Sequence, residues 1–369
     1  MKINIIGDIF SQIGYSTHTR FLSESLLDSG HEVSIDCNKP YGWEVGCPDK
    51  LFKMFTNDFS SETNIAITNP LYYDYVWSDG VKNLIGFVVW EGDKVPNYWL
   101  SHLNKCNQLW VPSNHTKQAL LNTFKEEEIP QIFIVPHGVD LNNFFPKPEL
   151  KNDEFTFVCV KGWRGGMEDR GGVQYLLKAF NEEFKDEENV KLILKLNSSY
   201  KIDDLNSEIS KIGIDKLNKN VIIIDNNIGY SELSNIYNQG DVFVCPTRSE
   251  GFNLPGIEAM ACGLPTIQTG YGGQTDYMND KNSKTVDYIL EDVKHDLAYE
   301  GVKWATPDTI QLKHLMRWCV NNPDKVKSMG EEALKTSRNW TWNNSARKAN
   351  KALSILNAGK AFPGVKIEK

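Results

Sequence analysis

With 369 residues, 40% of them hydrophobic and 24% charged, the chain is long enough for two cores and too apolar to be disordered. Forty basic against 48 acidic side chains leave a net charge of −8. That argues against a dedicated nucleic-acid binder, whose affinity rests on a basic face that releases counterions. Seven cysteines, an odd number without CxxC spacing, argue against a disulfide framework or a zinc site and fit reduced thiols in a cytoplasmic protein. The apolar stretch within Met1–Asp8 is too short for a signal peptide. The longest apolar run, Leu84–Trp90, falls far short of the ~20 residues a membrane span needs.

Strand-like and helix-like runs alternate along the chain. Ile3–Ile6 is predicted as a strand, followed by a helix over Thr19–Ser29 with Phe21, Leu22, Leu26 and Leu27 at helical spacing. Gly30 ends that helix, and further strands are predicted at Val33–Ile35, Ile65–Thr68, Leu84–Trp90, Gln108–Val111 and Ile132–Val135. Asn114 and His115 read as caps of a helix after Ser113. The polar, proline-bearing stretch Phe144–Asp153 reads as a boundary. A second series follows: strands Thr156–Val160, Val190–Leu196, Val221–Ile224 and Val242–Cys245, with helices Val173–Glu183 and Ser231–Gln239. Such alternation predicts βαβ units and parallel sheets with helices on both faces. The acidic patch Glu182–Glu188 and the pair Asp203–Asp204 read as solvated. In the tail, Ala346, Ala349, Leu353 and Leu356 form one helical stripe, while residues 343–369 carry a net charge of +5. A solvated helix explains that charge more simply than a peripheral membrane contact.

The densest signal runs from Asp241 to Pro265. A buried strand enters a loop, and the loop enters a helix with Pro255 in its first turn and Gly263 as its stop. In an open α/β sheet this is the carboxyl end of a strand, where ligands bind. Backbone N–H groups at the helix start suit a diphosphate. Glu250 and Glu258 stand eight residues apart. A carboxylate would repel a phosphate, so each glutamate is expected to accept hydrogen bonds from hydroxyls.

This string, EGFNLPGIEAMACGLPTI, resembles the Glu-x7-Glu hallmark of the retaining GT-B glycosyltransferases of family 4, with Asn253 in place of the usual glycine. Weaker similarities follow in the family's order: Trp110–Ser113, Val135–Asp140 through Pro146, Thr269–Gly273 and Trp340–Trp342. The resemblance implies two Rossmann-like, doubly wound parallel-sheet domains facing a cleft, with a C-terminal helix crossing back to the first. The implied division is 1–148 plus 343–369 on the acceptor side and 149–342 on the donor side. The family holds the phosphates with an Arg and a Lys near the first strand–helix junction of the second domain. Gly171 stands where that Lys could fall, so Arg170 takes its role, and Lys161 or Arg164 supplies the other cation. Glu250 is expected to hold hydroxyls of the transferred sugar and Glu258 the ribose. Gly251, Phe252, Asn253 and Leu254 bring backbone to the donor, and Ile228, in the Asn226–Tyr230 loop, lies where the base rests. In the first domain, Gly14 is expected in a phosphate-approaching loop, and Glu91 stands where many members have a His facing the sugar. His137 reads as structural.

The function implied is transfer of a sugar from a UDP-, GDP- or ADP-sugar to a carbohydrate or other hydroxyl acceptor, with retained anomeric configuration and no metal or other cofactor. Two alternatives share the fold: a sugar-nucleotide epimerase or phosphorylase, and a non-catalytic sugar-binding subunit.

Overall fold

The computed structural model describes residues 1–37, 49–56, 61–78, 81–197, 202, 204–294 and 297–361. Cys47 and Asp203, and the tail beyond residue 361, lie outside them. The chain divides into two compact units, Met1–Gly138 with Trp340–Lys369, and Val139–Asn339.

The first unit runs β1 (Lys2–Gly7), α1 (Gly14–Asp28), β2 (Glu32–Asp36), α2 (Asp49–Thr56), β3 (Thr63–Ile67), α3 (Tyr73–Ser78), β4 (Asn83–Phe87), α4 (Leu100–Leu103), β5 (Gln108–Val111), α5 (Asn114–Leu121) and β6 (Ile132–Ile134). Its six strands form one sheet in the order β2-β1-β3-β4-β5-β6, with parallel pairing throughout. Every residue of β3, β4 and β5 is buried, as strands of a sheet covered on both faces should be. β4 stops at Phe87, so Val88–Trp90, predicted as strand, lie beyond its end. Helix α1 opens at Gly14, five residues before the predicted start. Its first turns bury Ser16, Thr17, His18, Thr19 and Arg20. An apolar-periodicity reading cannot see a buried face made of polar residues. Arg20 compensates by donating to the Ile9 and Ser11 carbonyls at 2.8 and 3.0 Å, tying down the loop ahead of the helix. The cap of α5 is Ser113, whose hydroxyl accepts from the Thr116 N–H; Asn114 and His115 are already helical.

The second unit runs β7 (Phe155–Lys161), α6 (Val173–Glu183), β8 (Val190–Leu196), α7 (Leu205–Lys211), β9 (Val221–Ile224), α8 (Tyr230–Asn238), β10 (Val242–Cys245), α9 (Leu254–Ala261), β11 (Thr266–Thr269), β12 (Ser283–Val286), β13 (Tyr288–Asp292), β14 (Lys303–Pro307), α10 (Thr309–Asn321) and α11 (Pro323–Ser337). Its main sheet has the order β12-β11-β10-β7-β8-β9, and β13 with β14 makes a separate antiparallel hairpin. From β7 the chain winds outward through β8 and β9, then returns to place β10 on the other side of β7. The carboxyl ends of β7 and β10 therefore form a topological switch point, the crevice in which such sheets bind ligands. Phe157, Leu176, Phe180, Leu192, Leu194 and Val244 build the core beneath it, each with no exposure.

Residues 139–148, expected in the first domain, group with the second unit. Lys147 N–H donates to Asn238 at 2.6 Å, and Asn238 donates to the Phe145 carbonyl at 3.0 Å. The acidic patch is not simply solvated either. Arg317 of α10 donates to Glu183 at 2.7 Å and to Glu188 at 2.6 Å, and Lys313 pairs with Glu182 at 2.9 Å. Asp204 caps α7 by accepting from the Ser207 N–H.

Helix α12 (Trp342–Ala361) closes the first unit. The stripe read from the sequence is its buried face: Ala346, Ala349 and Leu353 are at most 1% exposed, with Ala352 beside them. Small residues let the helix approach closely. Gln108 donates to the Ala352 carbonyl at 2.9 Å, and Ser345 to the Pro136 carbonyl at 2.6 Å. Gly138 is required here, because a Cβ would collide with the backbone at Thr341 and Trp342. Among the described residues no helix is long and apolar enough to cross a membrane.

Candidate active site

Two strand ends and two loops build the site. Lys161 is the last residue of β7, and the glycine-rich loop 162–172 carries Arg170 to the start of α6. Gly172 caps that helix at φ +81°, and any Cβ there would strike the Pro246 carbonyl. The close approach lets the loop after β10 bind back: Arg248 N–H and the Thr247 hydroxyl both donate to the Arg170 carbonyl, at 2.9 and 3.0 Å.

Three charged side chains then meet. Lys161 Nζ lies 2.6 Å from Glu250 Oε1, and Arg170 Nη1 lies 2.8 Å from the same oxygen. Arg170 also donates to the Ser249 carbonyl at 2.8 Å. Burial alone would drive the Glu250 proton back on. The charges of Lys161 and Arg170 outweigh it and hold the carboxyl below its ordinary value. Burial disfavours the Lys161 ammonium too, yet Glu250 keeps it above the usual lysine range. Lys161 and Arg170 set two positive charges against the one on Glu250, with the Asp169 carboxylate of the same loop also within their influence.

Asn253 adopts φ +69°, the left-handed conformation that a glycine takes readily. Asparagine tolerates it and adds a side chain with work to do: Nδ2 donates to Gln268 at 2.6 Å, and Oδ1 accepts from Lys161 at 3.4 Å. The Tyr277 hydroxyl donates to the Asn253 carbonyl, fixing the cap of α9. Gly251 and Phe252 are buried, and Phe252 packs edge-on against Tyr277; Leu254 opens α9 half-buried. Glu258, further along α9, is 6% exposed and accepts from the Tyr237 hydroxyl at 2.9 Å. No cation accompanies it among the described hydrogen bonds and ion pairs, and burial pushes its carboxyl up to about 7.

The remaining predicted residues fall elsewhere. Arg164 is exposed, its N–H donating to Asp169 at 3.0 Å, so Lys161 is the cation that joins Arg170. Ile228 is half-buried in the loop between β9 and α8, whose Gly229 cap is held by Glu232. Gly14 is exposed and is the first residue of α1, not part of a preceding loop. Glu91 lies in the loop beyond β4 and, after burial, its charge is the next influence raising the Tyr15 hydroxyl. His137 is buried, its Nδ1 2.8 Å from that of His18. Arg248, Gln268 and Tyr237 belong to the site's framework and escaped the sequence reading. Gln268 left a trace, a polar residue inside the strand Thr266–Thr269; the other two left none. Among the described residues, no group of three or more His, Cys, Asp and Glu side chains could hold a metal ion.

Residues 159–300 match the family Glycosyl transferases group 1. That stretch contains Lys161, Arg170, Glu250 and Glu258 together. The D-inositol 3-phosphate glycosyltransferase of Segniliparus rotundus is 24% identical over 247 residues, 64% of this chain and 49% of the relative. A probable sucrose-phosphate synthase of Thermosipho melanesiensis is 26% identical over 196 residues, 51% of this chain and 44% of the relative. The chain thus spans about half the length of these curated relatives. Among solved structures, the sucrose-phosphate synthase of Thermosynechococcus elongatus superposes with a TM-score of 0.72 at 18% identity, covering 97% of this chain and all of that one. HepE of Anabaena, solved with UDP-glucose, gives 0.68 at 13% identity over 96% of this chain and all of that one. The fold is accordingly of the GT-B kind, two Rossmann-like parallel-sheet units.

Proposed function

We propose that the protein transfers a glycosyl group from a nucleotide-diphospho-sugar to a hydroxyl of a carbohydrate or other acceptor, retaining the anomeric configuration. The observation that carries this reading is the convergence of Lys161 and Arg170 on Glu250 at the switch point, beside the start of α9. The glycosyltransferase match over the same residues supports it. In the reaction the bond from the sugar C1 to the β-phosphate oxygen breaks, and a bond from C1 to the acceptor oxygen forms on the same face. The acceptor proton passes to the departing phosphate. Negative charge grows on that phosphate, and Lys161, Arg170 and the N–H groups entering α9 would meet it, so this reading calls on no metal. Glu250 would accept from hydroxyls of the transferred sugar and Glu258 from the ribose.

Incubation with radiolabelled UDP-, GDP- and ADP-sugars and a mixed acceptor pool tests the proposal. Transfer of label with release of the nucleoside diphosphate is the expected result. Conversion of donor without transfer would favour an epimerase, and untouched donor would favour a sugar-binding subunit.

A further inference from the structure

Arg248 is an arginine that the proposed chemistry does not use. Its side chain is 3% exposed, yet each arm of the guanidinium has its own partner. Nε donates to the Ala305 carbonyl at 3.2 Å, and Nη2 to Thr306 Oγ1 at 3.3 Å, both on β14. Nη1 donates to the Glu168 carbonyl and carboxylate at 3.3 and 3.1 Å, on the loop that carries Arg170. Glu291 of β13 lies 3.7 Å from Nη2 and accepts from Thr306. The backbone repeats the pattern: Arg248 N–H donates to Arg170, and its carbonyl accepts from Ala305 at 2.8 Å. The loop itself is entropically costly to hold. Five of its eleven residues, 162 to 172, are glycines, and Gly165, Gly166 and Gly172 have positive φ. Asp169 and Gln174 tie it from within and from α6. Arg248 ties it to the hairpin.

We propose that Arg248 is a positioning residue: it fastens the β13–β14 hairpin to the 162–172 loop and thereby fixes the Arg170 guanidinium beside Glu250. Only a planar fork with separate donors reaches the loop and both hairpin strands at once, so lysine cannot replace it. The inference rests on the function proposed above, and the test separates the two.

Arg248→Met, Arg248→Lys and Glu168→Ala are compared with wild type by donor turnover, by calorimetry with UDP, GDP and ADP, and by hydrogen exchange without ligand. Glu168 is half-exposed, so its variant folds even where Arg248→Met does not. A displacement of about 1 Å at a reacting group can cost about 100-fold in turnover, so kcat is expected to fall toward that extent in Arg248→Met. KM changes much less, because Lys161 and the α9 start still hold the diphosphate. Lysine restores little, and Glu168→Ala shows a smaller fall of the same kind. Amides of 162–172 and 303–307 exchange faster in the variants, while those of β8 do not. Wild-type kcat in both Arg248→Met and Glu168→Ala would overturn the inference. If wild type consumes no donor, the functional proposal fails, and exchange alone decides: unchanged protection of the loop would overturn the positioning role.

Discussion

Two glutamates of one motif, eight residues apart, Glu250 half-buried and Glu258 buried, sit in opposite electrostatic situations. Glu250 is held ionised by Lys161 and Arg170. Glu258 has a tyrosine hydroxyl as its described partner and holds its proton up to about pH 7. Burial is common to both; the counterions make the difference. Spacing alone cannot separate the two roles, because the cations reach Glu250 from 89 and 80 positions away in the sequence. An ionised carboxylate held by two cations suits acceptance of hydrogen bonds from sugar hydroxyls, while the cations themselves face the growing leaving charge. A carboxyl near neutrality suits hydrogen bonding to a neutral diol.

Removing Lys161 breaks the comparison most severely. Lys161→Met is expected to lower turnover about 10²–10³-fold, the loss seen when one preorganised donor to a developing charge is deleted. Steady-state kinetics with the active donor checks this, and near-normal turnover would take Lys161 out of the chemistry.

The pH dependence of stability sharpens the contrast. The folded Glu258 carboxyl lies above its ordinary 4.5, so the folded state binds the proton more tightly than the unfolded chain. Stability contributed at this site falls as pH rises from 4.5 to about 7 and is level above, by about 3 kcal/mol at most. Glu250 has the opposite sign: its contribution is present above 4.5 and is lost as pH falls through its lowered value. Urea unfolding of wild type and Glu258→Gln at pH 5 and pH 8 reads the first effect. The variant should gain on wild type at the higher pH, and an equal difference at both would refute it.

Tyr237→Phe is the gentlest probe. It removes the one described hydrogen bond to Glu258 and should cost about 1 kcal/mol while moving the Glu258 titration further upward. A carbon-13 carboxyl titration of the variant would show that shift, and a downward movement would contradict it.

Much of this frame was legible in the sequence. The strands Val190–Leu196, Val221–Ile224 and Val242–Cys245 and the helix Val173–Glu183 have the bounds predicted, because apolar-rich strand segments and a helically spaced apolar face leave little choice. The glutamate motif marks the end of β10, and the sheet order makes that end the switch point. What stayed hidden depends on contacts between distant residues. The start of α1 is a buried polar face, the β13 strand is exposed along its whole length, and the partners of Arg248 lie 57 and 80 positions away. The choice between Lys161 and Arg164 was likewise open until the strand end placed one of them on Glu250.

Calorimetry with a bare nucleoside diphosphate tests the division between the two glutamates most directly. Glu250 competes with the phosphates for Lys161 and Arg170, so Glu250→Gln should bind UDP, GDP or ADP at least as tightly as wild type while turnover collapses. At pH 8, above the Glu258 titration, Glu258→Ala should weaken the same nucleotide by about 1.5–3 kcal/mol, the worth of a hydrogen bond to a charged group. If Glu250→Gln abolished nucleotide binding and Glu258→Ala left it intact, the two carboxylates would have been assigned the wrong way round.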